Sequence, residues 1–292
     1  MKAMRKSASV FCALVLLSLN VLAQGTKPSR ADSLNFVNAP WETVKLGRGS
    51  KAMSAQMSLF NGSAQSVSVV RFKLKKHKAE FVSCPSELQG TTSEIGKREK
   101  SRYAINGSYF HMNDRTPATY FRKGQDVLGV TDPSEAYRCN GLVAVSGKRM
   151  AIIKSEVSKE HLVSGEYDQV LSSGPILISE GSIMVPVVTD SLNAAASFNN
   201  TRHPRSIIGY DDKGYGYLVV VDGRFPGQAD GATIYECAAI AYFLGMTDAL
   251  NLDGGGSSAL WTKKTGVLSH PCDNKTYDHD GERKVPNCIV IK

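Results

Sequence analysis

The residues best suited to chemistry in this chain are Asp253-Gly254-Gly255-Gly256-Ser257-Ser258, an acidic side chain followed by three glycines and two hydroxyls. Three successive glycines are costly in backbone entropy and are useful where the chain must approach something closely. The main-chain N–H groups around Gly254 to Ser258 can form an anion-binding concavity. Asp253 is also one of three residues that close an apolar run just before a glycine, in Ile105-Asn106-Gly107, Val221-Asp222-Gly223 and Leu252-Asp253-Gly254. Asn-Gly and Asp-Gly pairs are favoured hairpin turns, so Asn106 and Asp222 taken alone read as turn residues. The glycine run beside Asp253 lifts the group above that reading.

Between Ala232 and Thr262 there is no Lys or Arg, and the charges are Glu236, Asp248 and Asp253. Glu236 and Asp253 sit in apolar surroundings, so each needs a remote cation, a hydrogen-bond donor or a raised pKa. Thr233-Ile234-Tyr235-Glu236 is also a capping box, so capping and catalysis both stand as readings of Glu236. The available cations are Arg202, His203, Arg205 and Arg224, and an arginine fork suits phosphate or carboxylate. Gly254, Gly256 and Ala259 match a dinucleotide-binding pattern, but Trp261 to Gly266 turns away where that motif requires a helix, so no dinucleotide is expected. The chain lacks Gly-x-Ser-x-Gly, His-Glu-x-x-His and any Cys-His cluster with ligand spacing. No cofactor is expected and no residue is assigned to a metal.

The elements that position these residues are mostly strands. Trp41 to Leu46, Met53 to Phe60, Ser66 to Leu74 and Ala79 to Cys84 carry β-branched or aromatic residues between Gly, Asn and Lys clusters and read as an antiparallel meander. Thr91 with Glu94 starts a short helix. Residues 111–140 read as one long loop. Strands resume at Gly141 to Val145, Met150 to Ile153, Pro175 to Ser179 and Ile183 to Val188, and Thr189 to Asn200 reads as a loop. Ser206 to Gly209 and Tyr215 to Val221 flank the hairpin turn at Asp211 to Gly214. Ile234, Cys237, Ala238, Ala241 and Leu244 have helical spacing, with Gly245 as the left-handed stop. On the strand that follows, Asn251 and Asp253 share one face, and Leu250 and Leu252 share the other.

The whole chain has 292 residues, 42% of them hydrophobic and 21% charged, which excludes collagen, coiled coil and wholesale disorder. Residues 1–23 run from a basic start through Val10 to Leu17 to Val21-Leu22-Ala23 and read as a signal peptide cleaved near Ala23, giving a secreted or periplasmic protein with no membrane span after cleavage. Loss of Lys2, Arg5 and Lys6 reduces the net charge of +8 by three. The basic run from Arg71 to Lys78 alternates with apolar residues as a solvated strand face, and no nucleic-acid partner is expected. Residues 24–40 read as a linker and 41–292 as a single α+β domain of mostly antiparallel strands curved around one or two helices. Five cysteines follow the leader; Cys237 reads as a buried free thiol, with Cys84–Cys139 and Cys272–Cys288 expected as disulfides from proximity along the chain.

Taken together, Arg202-His203-Pro204-Arg205-Ser206-Ile207-Ile208-Gly209, Val221-Asp222-Gly223-Arg224, Thr233-Ile234-Tyr235-Glu236 and Asn251 to Ser258 resemble the phosphodiester glycosidase domain. Asn106-Gly107-Ser108-Tyr109-Phe110 resembles that family's Asn-Gly-Gly-Tyr-Phe signature, with Ser108 where glycine is usual. Ser173-Gly174-Pro175 resembles its central segment, and Val285 to Val290 its closing strand. The resemblance implies hydrolysis of a sugar-1-phosphodiester at the anomeric carbon, with a sugar-phosphate diester or envelope glycan, for example an exopolysaccharide, as the partner.

In that chemistry the leaving group is a phosphate monoester with a second pKa of about 6, which needs less protonation than a sugar hydroxyl. Asp253 and Glu236 are then expected as the carboxylate pair. Arg205 and the N–H groups of Gly255 to Ser257 are expected to hold the phosphate, and Asn106 and Asp222 to orient hydroxyls or carboxylates. Gly107, Ser108, Tyr109, Ser173, Gly174, His203, Arg224 and Gly254 complete the expected substrate contacts. The competing readings are a non-catalytic glycan or envelope-binding protein, and a metal-assisted phosphodiesterase using Asp222, Asp253 and a histidine.

Overall fold

The computed structural model of the protein describes residues 27–185 and 194–292; the expected signal peptide lies outside them. The described strands form three antiparallel sheets. The largest has eight strands, in the order Glu42–Gly47, Ser50–Leu59, Ser63–Lys73, Tyr215–Val221, Arg205–Tyr210, Asp248–Asn251, Ile176–Ser179 and Ser182–Ile183. A five-stranded sheet runs Asp126–Gly129, Phe121–Lys123, Gln169–Ser173, Gly141–Ser146, Arg149–Lys154. The third, also of five strands, runs Gly266–Val267, Leu260–Thr262, Tyr103–Asn106, Asn287–Ile291, Ala79–Ser83.

Strand alternation explains how one core serves all three sheets. Val70 and Phe72, Leu218 and Val220, and Leu250 face inward, where they meet Val143 and Leu171 of the second sheet and Ile105 and Ile289 of the third. Their neighbours Val67, Val69, Val219 and Ile207 face the opposite side, under the helices Ile234–Phe243 and Arg30–Val37. The large sheet is thus covered on both faces, which is why Tyr217 to Val221 is apolar without interruption. Each such fully buried aliphatic side chain contributes about 1.5–3 kcal/mol.

Several segments differ from their sequence reading. Part of the expected linker forms the helix Arg30–Val37, capped by the Ser29 side chain, because buried Phe36 packs against Trp41 and Phe243. The expected loop at 111–140 contains the Phe121–Lys123 and Asp126–Gly129 strand pair. Ala194–Asn200 is a helix despite its polar residues, with Ala196 and Asn199 buried; residues 186–193 of the neighbouring readings are outside the described residues. Ala79–Ser83 leaves the meander and pairs instead with Asn287–Ile291. Neither expected disulfide is present, since Cys84, Cys139, Cys272 and Cys288 are free and buried. Proximity along the chain misled because the strand pairing sends Cys84 and Cys288 into one apolar cluster, Cys139 beside Tyr109 and Cys272 beside Phe225. Cys237 is the buried free thiol expected, and burial pushes its pKa up to about 12. No helix among the described residues is long and apolar enough to cross a membrane.

Candidate active site

Three adjacent strands of the large sheet bring the candidate residues to one end. The register pairs Arg205 with Val221 and Ile207 with Asn251, so the start of one strand lies beside the ends of its two neighbours. Pro204, Asp222 and Asp253 are the residues immediately beyond those strand ends.

Asp253 is held through its main chain. Its N–H donates to the Gly107 carbonyl at 3.1 Å, and its carbonyl accepts from Asn106 Nδ2 at 2.7 Å. Asn106 Oδ1 accepts from the Ala259 N–H at 3.2 Å and from Ser206 Oγ at 2.7 Å, so one buried amide fixes both ends of the glycine turn. The Asp253 carboxylate is half-buried and accepts from the Gly254 N–H at 2.9 Å. Desolvation raises its pKa, opposed by the Ser257 hydroxyl, Arg138, the Gly254 N–H and Arg283.

The glycines allow close approach by neighbouring groups. A Cβ on Gly254 would stand 2.6 Å from the Pro204 carbonyl, and one on Gly255 would stand 3.0 Å from Arg224 Nη2. On Gly256 it would meet Asp273 Oδ1 at 2.0 Å and Arg283 Nη2 at 2.3 Å. Arg224 and the Arg283–Asp273 pair therefore close directly over the turn. Arg283 grips Asp273 through two bonds of 2.8 and 2.7 Å and also feels the Asp253 charge. Arg224 holds a left-handed backbone at φ 69°, a strained conformation for an arginine, with Nη1 3.7 Å from Cys272 Sγ. On the other side Arg138 lies 3.8 Å above the Tyr109 ring and ion-pairs with Glu135. His203 is half-buried, and burial followed by Arg205 and Arg224 lowers its pKa, which favours the neutral ring. The site is a carboxylate among three arginines, an arrangement able to hold an anion beside a developing positive centre.

Some expected residues do other work. Glu236 is not paired with Asp253: Arg202 Nε reaches both its oxygens at 3.1 and 3.0 Å, Arg202 Nη2 adds a 2.5 Å bond, and the Thr233 N–H donates at 2.8 Å. The capping reading is the one the geometry realises. Arg205 is 1% exposed, and its guanidinium donates to the carbonyls of Ala232, Phe198 and Thr201 at 2.9, 2.7 and 2.9 Å, so it anchors the main chain around the Ala194–Asn200 helix instead of reaching an anion. The Gly255 and Ser257 N–H groups bond the Pro204 and Gly254 carbonyls, which removes them from the expected phosphate cradle.

Ser108 is buried, with its hydroxyl 2.5 Å from the Ser172 carbonyl, and Gly107 makes room for Asn287, whose Oδ1 accepts from the Ser108 N–H at 2.6 Å. Tyr109 donates to the Gly174 carbonyl at 2.6 Å and receives Asn251 Nδ2 at 2.9 Å; Asn251 also donates to Gly174 at 2.9 Å. Ser108, Tyr109 and Gly174 are thus committed to internal hydrogen bonds next to Asn251, on the strand that leads to Asp253. The buried Ser173 Oγ, Ser258 Oγ and Asn251 Oδ1 have no hydrogen-bond partner among the described residues. Asp222 is 1% exposed and accepts from Ser66 Oγ at 2.6 Å and from the His270 N–H at 2.8 Å, with His270 Nδ1 2.9 Å away.

Sequence reasoning missed Arg138, Asp273, Arg283 and His270. Each lies in an irregular segment with no periodic signal; Arg138 falls in the 111–140 segment that reads as one long loop, a length at which loops tend to be functional. Among the described residues no cluster of three or more His, Cys, Asp or Glu side chains is arranged to hold a metal ion.

The chain is similar to several known proteins. The family model described as phosphodiester glycosidase matches residues 99–292. The human N-acetylglucosamine-1-phosphodiester alpha-N-acetylglucosaminidase is 28% identical over 205 residues, covering 65% of this chain and 37% of that protein. The SPbeta prophage-derived uncharacterized protein YomE of Bacillus subtilis is 27% identical over 174 residues, 58% of this chain and 25% of that one. The chain thus spans little more than a third of the human relative. Among solved structures, the zebrafish N-acetylglucosamine-1-phosphodiester alpha-N-acetylglucosaminidase catalytic domain, auto-inhibited by its pro-peptide, has a TM-score of 0.64 at 16% identity, covering 92% of this chain and 95% of that one. A hypothetical protein from Synechocystis has a TM-score of 0.63 at 16% identity, covering 86% of this chain and 63% of that chain. Both likenesses are of fold.

Proposed function

Since the chain belongs to the phosphodiester glycosidase family, we propose that it hydrolyses a sugar-1-phosphodiester at the anomeric carbon, releasing the sugar and a phosphate monoester. The observation that carries this reading is the Asp253 carboxylate, which feels the charges of Arg138 and Arg283, at the start of a glycine turn over which Arg224 and Arg283 close. Arg224 and Arg283 neutralise the phosphate as the C1–O bond breaks, and their preorganised charge is worth most where water is excluded. Asp253 stabilises the oxocarbenium-like carbon and directs the attacking water. Because Glu236 is locked to Arg202 and Thr233, the second carboxylate of a usual glycosidase pair is absent from this reading. A leaving group with a second pKa of about 6 makes a strong carboxylic acid unnecessary.

The relatives' name supports N-acetylglucosamine-1-phosphodiesters as the first substrates to try. The leader read in residues 1–23 supports a reaction in the periplasm or medium. Incubation with such diesters and assay of free sugar tests the activity. Release of sugar supports the reading, whereas binding without release supports a glycan-binding protein.

A further inference from the structure

Aromatic rings gather around Arg138 beside the candidate carboxylate. The guanidinium carbon stands 3.8 Å from the Tyr109 ring centroid, 5.3 Å from that of Tyr137 and 5.5 Å from that of Phe198. Phe198 meets the other two rings edge to face, with centroids 6.2 Å from Tyr109 and 6.0 Å from Tyr137. Two contacts join the group to the glycine turn. The Tyr109 hydroxyl accepts from Asn251 Nδ2 at 2.9 Å, two residues before Asp253. The Arg205 guanidinium lies 4.7 Å from the Phe198 ring centroid, and Arg205 Cδ is 3.7 Å from where a Cβ on Gly254 would stand. Asp253 in turn feels the Arg138 charge.

The rings differ in what they offer a ligand. Tyr109 is 1% exposed and Phe198 is half-buried, whereas Tyr137 is 37% exposed. Arg138 is largely buried among them and is already paired with Glu135. This part of the site is therefore an aromatic surface with little free charge, unlike the glycine turn that Arg224 and Arg283 close over. A sugar phosphodiester divides in the same way. Its phosphate is charged, while the C–H groups of its pyranose form an apolar face that can pack on an aromatic ring and leave the hydroxyls to water or polar neighbours. We propose that Tyr137, braced by Phe198, is the surface against which the sugar ring of the substrate packs, leaving the phosphate to Arg224 and Arg283. The inference rests on the phosphodiester glycosidase reading and adds to it the part of the protein that selects the sugar. Arg205 fixes the brace, since it donates to the carbonyls of Phe198 and Thr201 at 2.7 and 2.9 Å.

The test compares wild type, Tyr137→Ala, Tyr137→Leu and Tyr137→Phe on the methyl diester of N-acetylglucosamine-1-phosphate, and measures inhibition by each product, N-acetylglucosamine and methyl phosphate. Tyr137→Ala is expected to raise KM and the inhibition constant of N-acetylglucosamine about 10-fold, with kcat and the inhibition constant of methyl phosphate within about twofold of wild type. Tyr137→Phe keeps the ring and should stay within about twofold of wild type throughout. Tyr137→Leu, which keeps bulk without a ring, should follow Tyr137→Ala and serves if that variant fails to fold. An unchanged inhibition constant for N-acetylglucosamine in the folded variants overturns the proposal. So does an equal rise for both products, which would mean that the substitution acts by disturbing Arg138. Failure of the wild type to release sugar overturns the glycosidase reading itself, and the proposal with it.

Discussion

Asn106 Nδ2 donates to the main-chain carbonyl of Asp253 at 2.7 Å, across 147 positions of sequence. The same side chain receives the Ala259 N–H, so the glycine turn that carries the candidate carboxylate is tied at both ends to the end of the central strand of a different sheet. Position, more than chemistry, is what Asn106 supplies.

Asn106→Asp replaces the donor to the Asp253 carbonyl with an acceptor inside a buried network. The expected cost is about 1–3 kcal/mol of stability, the usual effect of orphaning a buried polar group, together with a fall in kcat larger than any rise in KM. Thermal unfolding and steady-state kinetics check both.

Glu236 and Arg202 belong to the scaffold. Arg202→Ala leaves a buried carboxylate with only its capping bond. Because Arg202 is itself about one-third exposed, the expected loss is about 1–3 kcal/mol, at or below the low end of the range for a broken buried pair. The folded variant should keep its kcat within about threefold. A selective collapse of kcat with unchanged stability would return Glu236 to the chemistry.

Burial raises the Asp253 pKa, so the acid limb of activity, which marks loss of the carboxylate, is expected above the range of an ordinary aspartate. Arg283 is one of the cations opposing that rise. Arg283→Met should therefore move the acid limb to still higher pH and also raise KM, which a kcat/KM profile against pH reads directly.

Gly256→Ala places a methyl where Asp273 and Arg283 now meet. Both are side-chain ends and can move, so the fold is expected to lose no more than about 1 kcal/mol. The displaced arginine should raise KM, and the salt dependence of KM should flatten as one charge contact is lost.

Legibility in the sequence followed regularity. The helix from Ile234 was readable because Thr233 and Glu236 cap it and Cys237, Ala238 and Ala241 keep its period. The antiparallel strands were readable from alternation and turn residues, and Asp253 from the glycines beside it. The pairing of Ala79–Ser83 with the terminal strand was not, because register between distant strands has no local signature. The same limit hid the arginines. Arg205 lies in the recognisable block yet bonds three carbonyls, whereas Arg138 and Arg283 come from irregular segments and are brought to Asp253 only by tertiary packing. Short helices such as Ala194–Asn200 form because neighbours cover them, with little help from their own composition.

The central claim is that the Asp253 carboxylate carries the reaction. Asp253→Asn keeps the shape of the side chain and removes its charge, so the measurement is free-sugar release from an N-acetylglucosamine-1-phosphodiester by folded wild type and folded variant. The account predicts turnover by the wild type and a loss of about 10³-fold or more in the variant, with its thermal unfolding little changed. Undiminished turnover by Asp253→Asn would contradict it.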